Sequence, residues 1–173
     1  MPDLANLPTR ESSRMRPLAR LALTASKRLR RPHGRLLKPP TRNIMIWYVA
    51  AGSAVGGMIR FLLGTFIQQR SDTTFPVGTL LVNVTGSLLL GFLLQYSDHT
   101  PAITPQLRAM LTIGLCGGYT TFSAFSYETV VLLEDGNYKR AALYVLLSVA
   151  VSIVGVFIGL AAGRALTDAR AGA

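Results

Sequence analysis

The sequence predicts an all-α integral membrane protein with four transmembrane helices and a break in the third. Three observations predict it: four long apolar runs carry almost no charge, one of them is interrupted by glycines and threonines, and the basic residues crowd into the first 43 positions. Of 173 residues, 50% are hydrophobic and 15% charged, which excludes a disordered or solvated interaction chain. Residues 1–43 hold 11 of the 18 Lys and Arg and 2 of the 8 acids, net +9, while the remaining 130 residues net +1. The basic character belongs to one segment, so it does not argue for a nucleic-acid partner. Cys116 is the single cysteine, which excludes an intrachain disulfide and a cysteine-based metal site.

The first span is expected at 44–67, IMIWYVAAGSAVGGMIRFLLGTFI, 24 residues with one charge. At about 1.5 Å per residue that crosses about 30 Å of hydrocarbon. The second, 77–96, has no charge and is bounded by Pro76 and by Ser97, Asp98, His99 and Pro101. The third, 107–133, contains GLCGGYTT at 114–121, too rich in glycine and hydroxyls for a uniform helix, so a broken helix is expected. The fourth runs over 141–166, with Arg164 near its end, where a long side chain reaches the interface. Short polar loops join the spans, and 167–173 forms a C-terminal tail. A soluble bundle would need a polar helix face. Residues 77–96 offer only Thr79, Asn83, Thr85, Ser87 and Gln95 for one.

With residues 1–43 set aside, the positive-inside count ties. Arg70, Lys139 and Arg140 lie on one side, and Arg108, Arg164 and Arg170 on the other. A core without bias can insert both ways, the condition for an antiparallel, dual-topology dimer; the competing reading is a chance tie among short loops. Residues 1–43 lack the apolar stretch of a secretory signal. They read either as a disordered basic tail that would hold the N-terminus in the cytoplasm or as an untranslated stretch upstream of a start at Met45. A transit-like or anionic-lipid-binding role is a further alternative.

Polar side chains within hydrocarbon cost a few kcal/mol unless they face protein or water, so those that remain point to function. Gly52, Gly56, Arg60 and Gly64 recur every four residues and form one stripe that permits close helix approach. Arg60 faces either a wet vestibule or a structural partner. Asn83, with a donor and an acceptor, serves either an ion or an interhelical hydrogen bond. Tyr144, Ser148 and Ser152 form a line of hydroxyls that grades into Gly155, Gly159 and Gly163; serines in such helices also bond their own backbone carbonyls. Backbone freed in GGYTTFSAFSYE, 117–128, survives at membrane depth only where it lines a cavity or coordinates an ion. Phe122 and Phe125 share a face, and their positive ring edges suit an anion, although such a pair ordinarily packs in a core. Glu128 is either a partner for Arg60 or a protonatable group near one membrane face.

GTLLVN at 78–83 followed by Gly86, GGYTTFSAF at 117–125 and GGMIRF at 56–61 resemble the CrcB/Fluc family of fluoride channels over about residues 44–166. The resemblance implies a homodimer of antiparallel protomers in the cell inner membrane, surrounded by lipid and passively exporting fluoride ion to protect against its toxicity. It implies that Phe122 and Phe125 flank the fluoride path, that Asn83 turns its amide to the ion, and that Tyr144, Ser148 and Ser152 form a polar track. The carbonyls of Gly117 and Thr120 from both protomers would hold a structural sodium ion. Arg60 would stand at a vestibule and Glu128 near the pore. Ala124 departs from the serine or threonine common in the family, and the N-terminal tail lies outside the match.

No enzyme is expected, since the spans hold no His and no carboxylate pair. One alternative is a small dual-topology, proton-coupled multidrug-type exporter with Glu128 as coupling acid. An acid in the first span would be expected of it, where Arg60 stands instead. A non-conducting membrane assembly subunit is the other.

Overall fold

A computed structural model of the chain describes residues 42–172, and every regular element among them is helical. Helix α1 is Arg42–Arg70, α2 is Val77–Asp98, α3 is the short Pro105–Ala109, α4 is the single turn Gly117–Tyr119, α5 is Phe122–Glu134 and α6 is Tyr138–Ala171. A π-helical stretch, Met110–Cys116, joins α3 to α4. The expected basic tail falls outside the described residues except for Arg42 and Asn43, which begin α1.

Three of these helices are long and apolar enough to cross a membrane: α1, α2 and α6. Each continues past the apolar run that marks it in the sequence. α1 reaches Arg70, α2 reaches Asp98, and α6 starts at Tyr138 and takes in most of the expected C-terminal tail. Polar residues at these ends are adequate helix formers, and no proline intervenes. Residues 105–134 are divided among shorter pieces, the longest of 13 residues.

Local chemistry sets the boundaries. Pro76 precedes α2, where its missing N–H leaves no helical donor unused. Thr104 caps α3 by accepting the Leu107 N–H at 3.2 Å, with Pro105 at the first helical position. α5 ends in a Schellman turn: Asn137 N–H donates to Leu132 O at 2.9 Å and Gly136 N–H to Leu133 O at 3.0 Å. Gly136 there has φ 72°, open to a residue without a Cβ.

Two glycine seams pack the helices. Gly52 and Gly56 of α1 meet Gly114 and Gly118 of the interrupted segment, where a Cβ at Gly118 would come within 2.5 Å of the Ser53 carbonyl oxygen. Gly155, Gly159 and Gly163 of α6 lie against Val84, Leu88, Phe92 and Gln95 of α2, and Gly91 of α2 returns the contact at Val156. Close backbone approach of this kind is how helices associate where hydrocarbon surrounds them. Large apolar side chains stay on the outside, among them Trp47, Phe61, Leu146 and Phe157. A water-soluble chain would bury them; lipid tails take their place here. The small buried core holds Leu132, Ala141 and Tyr144, with Phe75, Leu80 and Phe125 against it.

Candidate functional site

Between α4 and α5 the helix stops for two residues. Thr120 (φ −79°, ψ 157°) and Thr121 (φ −147°, ψ 114°) are both extended. The Thr120 N–H still donates to the Cys116 carbonyl at 2.9 Å, but the backbone of Thr121 is met from elsewhere. Asn83 of α2 lies against Thr121 and satisfies both sides of it, Nδ2 donating to the Thr121 carbonyl at 3.0 Å and Oδ1 accepting the Thr121 N–H at 2.7 Å. Thr121 Oγ1 then accepts the Ala124 N–H at 3.1 Å and starts α5. Gly86, one turn beyond Asn83, makes room: a Cβ there would collide with the Thr120 side chain. Asn83 therefore holds the turn open from the neighbouring helix, with one amide hydrogen left over.

This turn forms one wall of a cavity of about 510 Å³. α2 contributes Asn83, Gly86 and Ser87; the interrupted segment contributes Thr112, Gly117, Thr120 and Thr121; α5 contributes Phe122 and Phe125; α6 contributes Ser148 and Ser152. Phe122 is 79% exposed in the single chain and Phe125 half-buried, with ring centroids 5.6 Å apart and planes at 45°. Ser148 is only 7% exposed. Its hydroxyl oxygen is the one buried side-chain polar atom among the described residues without a hydrogen-bond partner. A buried polar atom of this kind costs about 1–3 kcal/mol unless something else satisfies it.

Tyr144, Glu128 and Arg60 are not on that cavity's lining. Tyr144 is fully buried and donates its hydroxyl hydrogen to Glu128 Oε2 at 2.6 Å, while Thr79 Oγ1 donates to Glu128 Oε1 at 2.7 Å. Of the two readings open for Glu128, the pairing with Arg60 is not formed: among the described residues the ion pair present is Arg108 with Asp98. Arg60 instead points its Nη1 at the Thr120 carbonyl oxygen at 3.5 Å, the outer limit of a hydrogen bond. Phe125 packs on the Tyr144 ring at 5.3 Å and so links the two clusters.

The carbonyl of Gly117 suits a cation in one respect, whereas that of Thr120 already faces Arg60. In an unbroken helix the Thr121 N–H would go to the Gly117 carbonyl; here Asn83 takes that donor. Gly117 is exposed, and nothing lies within 4 Å of where its Cβ would be. Among the described residues no three His, Cys, Asp or Glu side chains converge, so a cation here would depend on such carbonyls.

Sequence reasoning passed over Thr79, Thr112 and Thr121 as site residues. Thr79 was within reach, since it precedes Asn83 by four residues and shares its face. Thr121 carries the capping signature of a hydroxyl residue ahead of an apolar helical run.

A model of the family described as CrcB-like protein, Camphor Resistance (CrcB), matches residues 47–160. Three relatives bear the name fluoride-specific ion channel FluC. That of Rhizobium meliloti (strain 1021) is 46% identical over 121 residues, 70% of this chain and 97% of the relative. That of Citrifermentans bemidjiense is 44% identical over 119 residues, covering 69% and 96%. That of Geobacter sulfurreducens is 46% identical over 118 residues, covering 68% and 95%.

Proposed function

The chain belongs to the CrcB family, and from that premise we propose that it is a fluoride-selective channel, not an enzyme, that lets fluoride leave the cell passively. The observation that carries this reading is the Ser148 hydroxyl, buried without a partner on a cavity that also presents the Asn83 amide and the Phe122 and Phe125 rings. Relatives named as fluoride-specific channels match almost end to end over the same core.

The physical logic is one of replaced hydration. Fluoride is small and strongly hydrated, so a path for it has to offer several hydrogens in place of water and stay too narrow for larger halides. Ser148 and Ser152 donate from α6, the second amide hydrogen of Asn83 from α2, and the positive edges of Phe122 and Phe125 from α5. Tyr144 contributes through Glu128: its hydroxyl holds the carboxylate together with Thr79, so the acid stands near the path without blocking it. Arg60, whose guanidinium faces the Thr120 carbonyl, adds positive charge that favours an anion. No proton coupling is required. An interior-negative potential drives an anion outward by about 2.3 kcal/mol per 100 mV. Fluoride that enters as HF and dissociates inside thus drains away, which is the protective effect.

The finer architecture belongs to the same proposal. Residues 107–133 form a third, broken span between α2 and α6, giving four crossings of the cell inner membrane. Two copies pair antiparallel as a homodimer, in keeping with the tied charge count, and each covers the other's exposed Phe122. The Gly117 and Thr120 carbonyls of both copies hold a sodium ion, which would supply a fixed positive charge at the centre and tie the interrupted segments together.

Growth tests this reading. In cells without a fluoride exporter of their own, the chain should restore growth on fluoride, and Phe122→Ile or Phe125→Ile should abolish the protection. Protection that both variants retain would instead favour a non-conducting assembly role.

A further inference from the structure

We infer that Gln68 is a positioning residue for the Tyr144, Glu128 and Thr79 set, an inference that rests on the channel reading above. Gln68 stands two residues before the end of α1, and its single amide holds three backbone groups of the connection to α2. Nε2 donates to the carbonyls of Thr73 at 3.1 Å and Phe75 at 3.2 Å, and Oε1 accepts the Gly78 N–H at 3.1 Å. Both amide hydrogens and the carbonyl are spent on one turn. The turn's two sides are thereby fixed to the same side chain.

Each side leads to the carboxylate. Phe75, held by its carbonyl, presents its ring at 81° to Tyr144 with centroids 5.5 Å apart, while Phe125 packs on that same tyrosine. Gly78, held by its N–H, is followed by Thr79, which donates to Glu128. Gln68 thus sets both the packing of the tyrosine that donates to Glu128 and the place of the threonine that does so. The approach of α2 to α1 that brings Gly78 within reach depends on its missing Cβ, which would come to 2.5 Å from the Gly64 carbonyl oxygen. Other ties in the loop include the Phe75 N–H donating to Thr73 Oγ1, Arg140 donating to Thr74 Oγ1, and the Val77 N–H donating to the same Phe75 carbonyl at 2.8 Å. Gln68 adds the link to Gly78, next to Thr79.

A residue that merely stiffens a loop and one that acts through Glu128 differ in a double-mutant cycle. The full chain, Gln68→Glu, Glu128→Gln and the double variant are reconstituted, and fluoride efflux and thermal unfolding are measured on each. Gln68→Glu keeps size and acceptor but loses both donors and sets negative charge against two carbonyls. Gln68→Met, neutral and of similar length, replaces it if the glutamate variant does not fold. The inference predicts roughly tenfold slower efflux for the Gln68 variant, and a double variant no slower than the slower single one. Effects that multiply, or undiminished efflux from the Gln68 variant, overturn it. If wild-type vesicles retain fluoride, the channel reading fails instead, and the unfolding cycle decides alone: non-additive midpoints support the coupling and additive ones overturn it.

Discussion

Along α6, Gly159 lies so close to α2 that a methyl group on it would collide with the Leu88 carbonyl, whereas at Gly117 a methyl group would meet nothing within 4 Å. Both residues sit in glycine-rich runs of apolar segments, and composition alone would give them one role. In the α2–α6 seam the missing side chains are filled by the neighbouring helix, and two long helices close nearly backbone to backbone. In the interrupted segment the glycine precedes two extended threonines, the second of which has its backbone held by a side chain from another helix. The first region spends its glycines on contact and the second on opening the chain. One region is thereby closed backbone to backbone, and the other takes the Thr121 N–H and carbonyl out of the helical ladder.

Substitutions can break this contrast. The largest effect is expected at Gly159→Val, where overpacking against the Leu88 carbonyl and Phe92 N–H should cost about 3 kcal/mol or more and leave little monodisperse protein in detergent chromatography. A well-behaved Gly159→Val protein would show that the seam is not close-packed. Asn83→Ala follows. It strips partners from the Thr121 N–H and carbonyl, at about 1–3 kcal/mol each, so the thermal midpoint should fall and fluoride flux should vanish with it.

Ser148→Ala sharpens the comparison, because it removes no hydrogen bond within the chain. Stability should change by less than about 1 kcal/mol while flux drops roughly tenfold, the loss expected when about 1.4 kcal/mol of ion stabilisation disappears. A large fall in the thermal midpoint with flux intact would reverse the assignment. Gly117→Ala should be the mildest for the isolated chain, within about 0.5 kcal/mol, since there is open space beside it. In the proposed pair that space belongs to the second copy, so cross-linking should report fewer dimers; unchanged dimer yield would remove Gly117 from the interface.

The long helices were legible because apolar runs of 20 or more residues with at most one charge have few other uses, and α1, α2 and α6 coincide with three of them. Their ends were less so. Arg, Asp and Thr beyond the hydrocarbon continue a helix without leaving a hydrophobic trace. The residues facing the cavity were also largely readable: Asn83, Phe122, Phe125, Ser148 and Ser152 stood out as polar or paired aromatic groups in apolar context, and they meet there. What could not be read was who holds whom. Asn83 and Thr121 are 38 residues apart, and Glu128 chose Thr79 and Tyr144 over the arginine that charge alone would nominate. The π-helical stretch Met110–Cys116, in which Gly114 packs on α1, left no pattern in the sequence.

The central claim is that the donors gathered between α2, the extended threonines and α6 carry a bare fluoride ion downhill. Efflux from liposomes holding the purified chain, with equal pH inside and out and chloride as the comparator, tests it most directly. Rapid loss of fluoride with chloride retained is the predicted result. Vesicles that keep both ions, or that release fluoride only when a proton gradient is imposed, would contradict it.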